Sequence, residues 1–235
     1  MRVLIMPQFW LRVLIVVAGL TGLLIGDHRI VYYTCQSNLI TLGYFGAVLY
    51  WMVCRGTTGP AAPRLRGAVT LWIVITGLIS HFMLQNGANP LPGLAAADPA
   101  SRVANWSMFL VHYAVPLLVL ADWVAFGPRR VSPWRDLGLW ILFPLAYGAT
   151  SVLRAVLFPT VNVRYPYFFL DPTSHGYDWV AGQFVRLAVI FAALGAALLA
   201  VDRLAARIAR HPEDPAVVHN PEPSTGAPAK IAPTP

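Results

Sequence analysis

The sequence predicts an all-α integral membrane protein, a bundle of six transmembrane helices with both termini on the cytoplasmic side. Three observations carry that expectation. Hydrophobic residues make up 57% of the 235 residues and charged residues only 11%, with a mean hydropathy of +0.60. A soluble domain carries about 25% charge. The apolar residues fall into six runs, each near the ~20 residues a helix needs to cross the hydrocarbon core. The arginines gather in alternate loops. An ordinary soluble globule and a disordered chain are both excluded, and no length remains for a second folded domain.

The first run, Phe9 to Ile25, follows Arg2 like the apolar part of a secretory signal. It is long and lacks a clean small-x-small cleavage site, so it reads as an uncleaved span. The second runs from Thr34 to Val53, the third from Ala68 to Leu84, the fourth from Asn105 to Phe126, the fifth from Leu137 to Leu157 and the sixth from Val180 to Val201. Gly19, Gly22 and Gly26, and also Gly43 and Gly46, are small residues that permit close helix contact. The helical domain is expected over residues 1–210. From His211 to Pro235 the chain holds seven prolines and almost no large apolar residue, so this tail is expected to be disordered.

Orientation follows from the bias of arginine toward cytoplasmic loops. Arg2, Arg55, Arg64, Arg66, Arg129, Arg130, Arg135, Arg203, Arg207 and Arg210 fall on one side; Arg29, Arg102 and Arg164 fall on the other. The net charge of +7 is spread over these short loops and reads as a topology signal, not as a nucleic-acid surface. Cys35 and Cys54 would stand roughly 28 Å apart along one helix and so cannot bridge. No zinc-binding spacing occurs, and neither a metal nor a cofactor is expected.

Polar residues inside a bilayer are costly, and their depth locates function. Thr34, Ser37 and Asn38 share one face at the outer end of the second span, and Thr41 extends it. His81 lies near the outer end of the third span, His112 about two turns into the fourth and Arg154 near the outer end of the fifth. The last outer loop carries Tyr165-Pro166-Tyr167-Phe168-Phe169-Leu170-Asp171, then His175 and Tyr177. All of these converge in the outer half, around a cavity expected to be lined by Thr34, Asn38, His81 and His112. Plainer readings stand beside this one. Thr34 suits an N-cap, His81 a hydrogen-bonded core histidine, and Arg154 with Asp171 a buried ion pair pinning the loop. Asp122, at the cytoplasmic end of the fourth span, is expected to cap there or to pair with Arg129 or Arg130.

The chemical reading rests on Thr34 and His112. A hydroxyl nucleophile needs a base to take its proton, and His112 is the deeply placed neutral base at a similar depth. Ser37 or Asn38 would orient the base or donate to an oxyanion. Pro116, four residues after His112, has no N–H and frees the His112 carbonyl from its helical partner.

The runs Tyr32-Tyr33-Thr34-Cys35-Gln36-Ser37-Asn38-Leu39 and His112-Tyr113-Ala114-Val115-Pro116-Leu117-Leu118 carry a resemblance, together with Asp122-Trp123 and the Tyr165–Asp171 segment. They resemble a family of actinobacterial six-span proteins and, more distantly, are similar to the androgen-induced protein family of animals. Members of the latter are six-span threonine hydrolases that cleave fatty-acid esters of hydroxy fatty acids. The resemblance covers about residues 9–201. It implies Thr34 as nucleophile and His112 as base, with Asp122 in the place of the acidic residue ten positions on and Tyr165-Pro166 in that of the last motif. Pro116 stands one residue closer to the histidine than in the animal proteins, a step of about 100° of helix rotation.

The sequence therefore points to a membrane-embedded hydrolase of a fatty-acyl ester, with membrane lipids as its surroundings and the bacterial plasma membrane as its location. Ser37, Asn38, His81, Arg154, Tyr165 and Asp171 would support the site. The alternative is a lipid-binding or transport protein using the same cavity. A third reading places a haem between His81 and His112, with His175 nearby.

Overall fold

The computed structural model describes residues 2–57, 59 and 62–208, and every regular element among them is helical. Six helices are long and apolar enough to cross a membrane: α1 (Pro7–Ile25), α2 (Tyr33–Arg55), α3 (Pro63–Leu84), α4 (Pro99–Ala125), α5 (Asp136–Leu157) and α6 (Gly176–Ile208). Each contains one of the six apolar runs to within a residue. Helices α3, α4 and α6 extend well past those runs, because hydropathy does not register polar turns that continue a helix. The tail expected from His211 onward lies outside the described residues.

Local chemistry sets the boundaries. Proline occupies the first turn of α1, α3 and α4, where a missing N–H costs nothing. The Asp98 carboxylate caps α4 by accepting from the Ser101 N–H at 2.8 Å. Helix α2 ends at Gly56, whose φ of 63° is the left-handed conformation that closes a helix.

Helix α3 is the hub and packs on α2, α4, α5 and α6. One apolar cluster lies between α3, α5 and α6, around Leu71, Ile75, Trp140, Phe191 and Leu199. A second lies between α1, α2, α3 and α4, around Ile15, Phe45, Met52, Ile73 and Val119. Trp72 of α3 packs against both. Large apolar residues such as Leu24, Leu117, Leu139 and Val185 remain exposed on the outer surface, as a lipid-facing surface requires. The α1 glycines admit neighbours closely: a Cβ on Gly22 would stand 2.8 Å from a Val111 methyl. Gly43 and Gly46 face open space and make no such contact.

Ion pairs fasten the end opposite Thr34, and the two made by Asp122 are buried. Asp122 is fully buried and lies between two buried arginines, accepting from Arg12 Nε at 2.9 Å and from Arg66 Nε at 3.0 Å. The expected pairing of Asp122 with Arg129 or Arg130 is therefore incorrect. Three helices converge at Asp122, and its own loop is not needed. Arg129 instead reaches Asp202 of α6 at 3.7 Å, and the Arg130 N–H donates to the same carboxylate at 2.7 Å. Arg64 pairs with Asp136, joining α3 to α5.

Candidate functional site

Thr34 and His112 meet. Thr34 Oγ1 lies 3.1 Å from His112 Nε2, and both side chains are buried. Thr34 sits in the first turn of α2 but not at its cap. Tyr32 is the N-cap and makes no side-chain capping bond, so the capping role for Thr34 does not hold.

His112 reaches Thr34 from an irregular part of α4. The helix widens into one π-helical turn over Leu110–Ala114, closed by the Val115 N–H on the Leu110 carbonyl. Such turns often occur at functional sites. Pro116 follows at once, so the His112 carbonyl loses its α-helical donor. Gly77 of α3 packs against that carbonyl: a Cβ there would stand 2.9 Å from the oxygen and 3.3 Å from Pro116 Cβ. With this backbone, His112 faces α2 despite the short spacing to the proline.

The second ring nitrogen settles the tautomer. His112 Nδ1 lies 3.0 Å from the Met108 carbonyl, which can only accept. Nδ1 therefore carries the proton in the neutral ring. Nε2 is left as a lone pair, and the Thr34 hydroxyl donates to it. This is the polarity a hydroxyl nucleophile and its base require.

Ser37 and Asn38 are also fully buried on this face, but they serve the backbone. Ser37 Oγ donates to the Thr34 carbonyl at 3.2 Å and lies 2.7 Å from Thr76 Oγ1. Asn38 Nδ2 donates to the carbonyls of Thr34 and Val111, at 2.9 and 3.3 Å. Neither hydrogen-bonds the imidazole. They fix the first turn of α2 and tie it to α3 and α4.

A cavity opens in front of Thr34. It lies between α2, α3, α5, α6 and the Tyr167–Leu170 segment, and its wall is almost wholly apolar, with Ile75, Leu145, Phe184 and Phe191 among its residues. It is narrow, and its empty space, counted with the part open to the outside, comes to about 580 Å³. Thr34 is on the wall; His112 stands behind it. The expected lining by Asn38, His81 and His112 is incorrect, because these residues pack toward neighbouring helices.

The remaining expected residues are elsewhere. His81 Nδ1 bonds the Tyr113 hydroxyl at 3.1 Å, consistent with the plainer core reading. Arg154 donates to the carbonyls of Val163 and Arg164, at 2.6 and 3.2 Å, while Asp171 accepts from the Thr173 N–H at 2.9 Å. The expected Arg154–Asp171 ion pair does not form: each satisfies itself within the loop. Tyr165 lies under the Arg164 guanidinium, 5.3 Å from its ring centre. The residues of that segment that reach the cavity are Tyr167, Phe169 and Leu170. Asp122, ten residues after His112, belongs to the arginine cluster. Among the described residues no group of three His, Cys, Asp or Glu stands together as a metal site. Both cysteines are free thiols.

Fold and site together define an α-helical integral membrane protein with a buried hydroxyl–imidazole pair at the head of an apolar cavity. The chain matches no protein-family model, no curated protein and no solved structure.

Proposed function

We propose that this protein is a membrane-embedded hydrolase of a fatty-acyl ester, with Thr34 as nucleophile and His112 as base. The observation that carries the reading is the 3.1 Å contact from Thr34 Oγ1 to His112 Nε2, with Nδ1 held by the Met108 carbonyl. The likeness of the motifs to the androgen-induced protein family supports it, and so does a narrow apolar cavity that suits an acyl chain better than a headgroup.

In the proposed reaction Thr34 Oγ attacks the ester carbonyl carbon. His112 Nε2 takes the hydroxyl proton, and the carbonyl electron pair moves onto oxygen. The intermediate collapses, the alkoxide leaves, and Nε2–H gives it the proton. The acyl group is now an ester of Thr34. Water gives a proton to Nε2 and attacks that ester. The carboxylic acid departs and Thr34 recovers its proton from the imidazole.

By the arginine bias, the Thr34 end faces outward from the plasma membrane and both termini face the cytoplasm. The acyl chain then enters from the outer leaflet.

The test is labelling by an alkyl fluorophosphonate in detergent or liposomes, with the modified residue found by mass spectrometry. Label on Thr34, absent from His112→Ala, is the expected result. Protein that takes no label and hydrolyses no acyl ester, yet still binds fatty-acyl chains, belongs to the lipid-binding alternative.

A further inference from the structure

Resting on the hydrolase reading, we infer that Tyr167 is the oxyanion donor of this site, its phenol O–H binding the ester carbonyl oxygen while Thr34 attacks. An acyl-transfer site needs a donor fixed where negative charge develops. The polar groups that the sequence offers for this task are otherwise engaged. Ser37 and Asn38 bond the Thr34 carbonyl. Thr76 bonds Ser37 and the Trp72 carbonyl.

Three tyrosines line the cavity: Tyr33, Tyr147 and Tyr167. Tyr33 donates its O–H to the Trp72 carbonyl at 3.3 Å, and Tyr147 donates to the Val31 carbonyl at 2.7 Å. Tyr167 shares the cavity wall with Thr34, and its phenol donates to no carbonyl among the described residues. Its oxygen is beside the Thr34 hydroxyl and beside the backbone N–H groups of Tyr33 and Thr34. Its ring is only 8% exposed. It stacks on Phe169 at 5.2 Å and 3°, and meets Tyr147 and Tyr32 edge-on at 6.2 and 6.1 Å. Three neighbouring aromatic rings thus hold the Tyr167 ring at the head of the cavity, and a donor that need not reorganise is what electrostatic catalysis uses.

The roles of the hydroxyls fit together. Thr34 gives its hydrogen to His112 Nε2, so its oxygen can accept from Tyr167. When that oxygen bonds the acyl carbon, the Tyr167 hydrogen turns to the adjacent carbonyl oxygen. No bond to Tyr167 breaks, and its proton stays in place. Burial pushes the Tyr167 phenol above its ordinary value, which keeps it a donor at neutral pH.

The experiment uses the full chain in detergent with 4-nitrophenyl octanoate. In Tyr167→Phe, kcat should fall about 10²–10³-fold, the range seen when one oxyanion donor is removed. KM should change less than about threefold, because the ring and cavity remain. As a second arm, 3-fluorotyrosine at position 167 acidifies the donor without changing its packing. The alkaline limb of the kcat profile should then move to lower pH. An unchanged kcat in Tyr167→Phe overturns the inference, and so does an alkaline limb that ignores the fluorine. Both of those results leave Thr34 and His112 in place. A wild-type protein with no turnover and no fluorophosphonate label removes the hydrolase reading itself, and this inference with it.

Discussion

His112 and Asp122 stand ten residues apart on α4, about 15 Å along its axis, and belong to different structures. His112 faces Thr34, while Asp122 is held between Arg12 and Arg66 at the opposite end. Their order in the sequence resembles an acid–base pair. The fold uses one for the site and the other to join α1, α3 and α4.

Asp122→Asn should therefore destabilise the protein without touching the chemistry. It leaves two buried arginines without their carboxylate, a loss of about 3–5 kcal/mol for a broken buried pair. Thermal unfolding in detergent would show the drop, and kcat per folded molecule should remain at the wild-type value. A folded variant with greatly reduced kcat would tie Asp122 to the reaction.

Thr34→Ala and His112→Ala should each abolish hydrolysis, with the double variant no worse than either, since groups acting as one unit are non-additive. Thr34→Ser keeps the hydroxyl and should keep part of the rate. Steady-state rates across the four proteins decide this. Multiplying losses would mean that the two residues act separately.

Arg154 and Asp171 should show no coupling. Arg154→Ala loses hydrogen bonds from a charged donor to two carbonyls, about 1.5–3 kcal/mol. Asp171→Asn should add its own small effect independently. A double-mutant cycle on thermal stability checks this, and a coupling above about 1 kcal/mol would restore the ion pair expected from the sequence.

Gly77→Ala and Gly43→Ala should differ in sign. At Gly77 the new methyl meets the His112 carbonyl, and overpacking there costs about 1–3 kcal/mol. Gly43 faces open space, where alanine gains up to about 1 kcal/mol of helix propensity. Paired melting curves test it. A neutral Gly77→Ala would mean that α3 moves away from α4 at little cost.

His28, in the loop before α2, gives a pH dependence. Burial holds its pKa below the ordinary 6.5, against the pull of the Gly22 carbonyl and Asp27. The unfolded chain then binds a proton that the folded state resists. This contribution is absent above pH 6.5 and destabilises the fold as pH falls below it. Stability of His28→Gln should fall less steeply over that window; an identical slope would place the titration elsewhere.

The spans were legible because hydropathy is a sum over many residues, and the polar stripe of α2 was legible because it repeats at helical spacing. Thr34 and His112 could be matched by depth alone. The partners of Asp122 could not, since Arg12 and Arg66 come from two other helices and only the packed bundle brings them together. Loop residues have no periodicity to give their direction: Tyr165 and Tyr167 are equivalent as letters, and the turn at Phe168–Leu170 sends Tyr167 inward. The π-helical turn left no mark beyond Pro116.

The ion pairs that join separate helical segments among the described residues all sit at one end, through Asp122, Asp136 and Asp202. The end with Thr34 is tied by bonds to carbonyls instead, such as Tyr147 to Val31 and Ser107 to Gly22. Neutral bonds of this kind contribute about 0.5–1.5 kcal/mol each, and parting buried charges costs several times more. The molecule is built like tongs with a riveted pivot. Heating should therefore part the Thr34 end of the bundle before the Asp122 end.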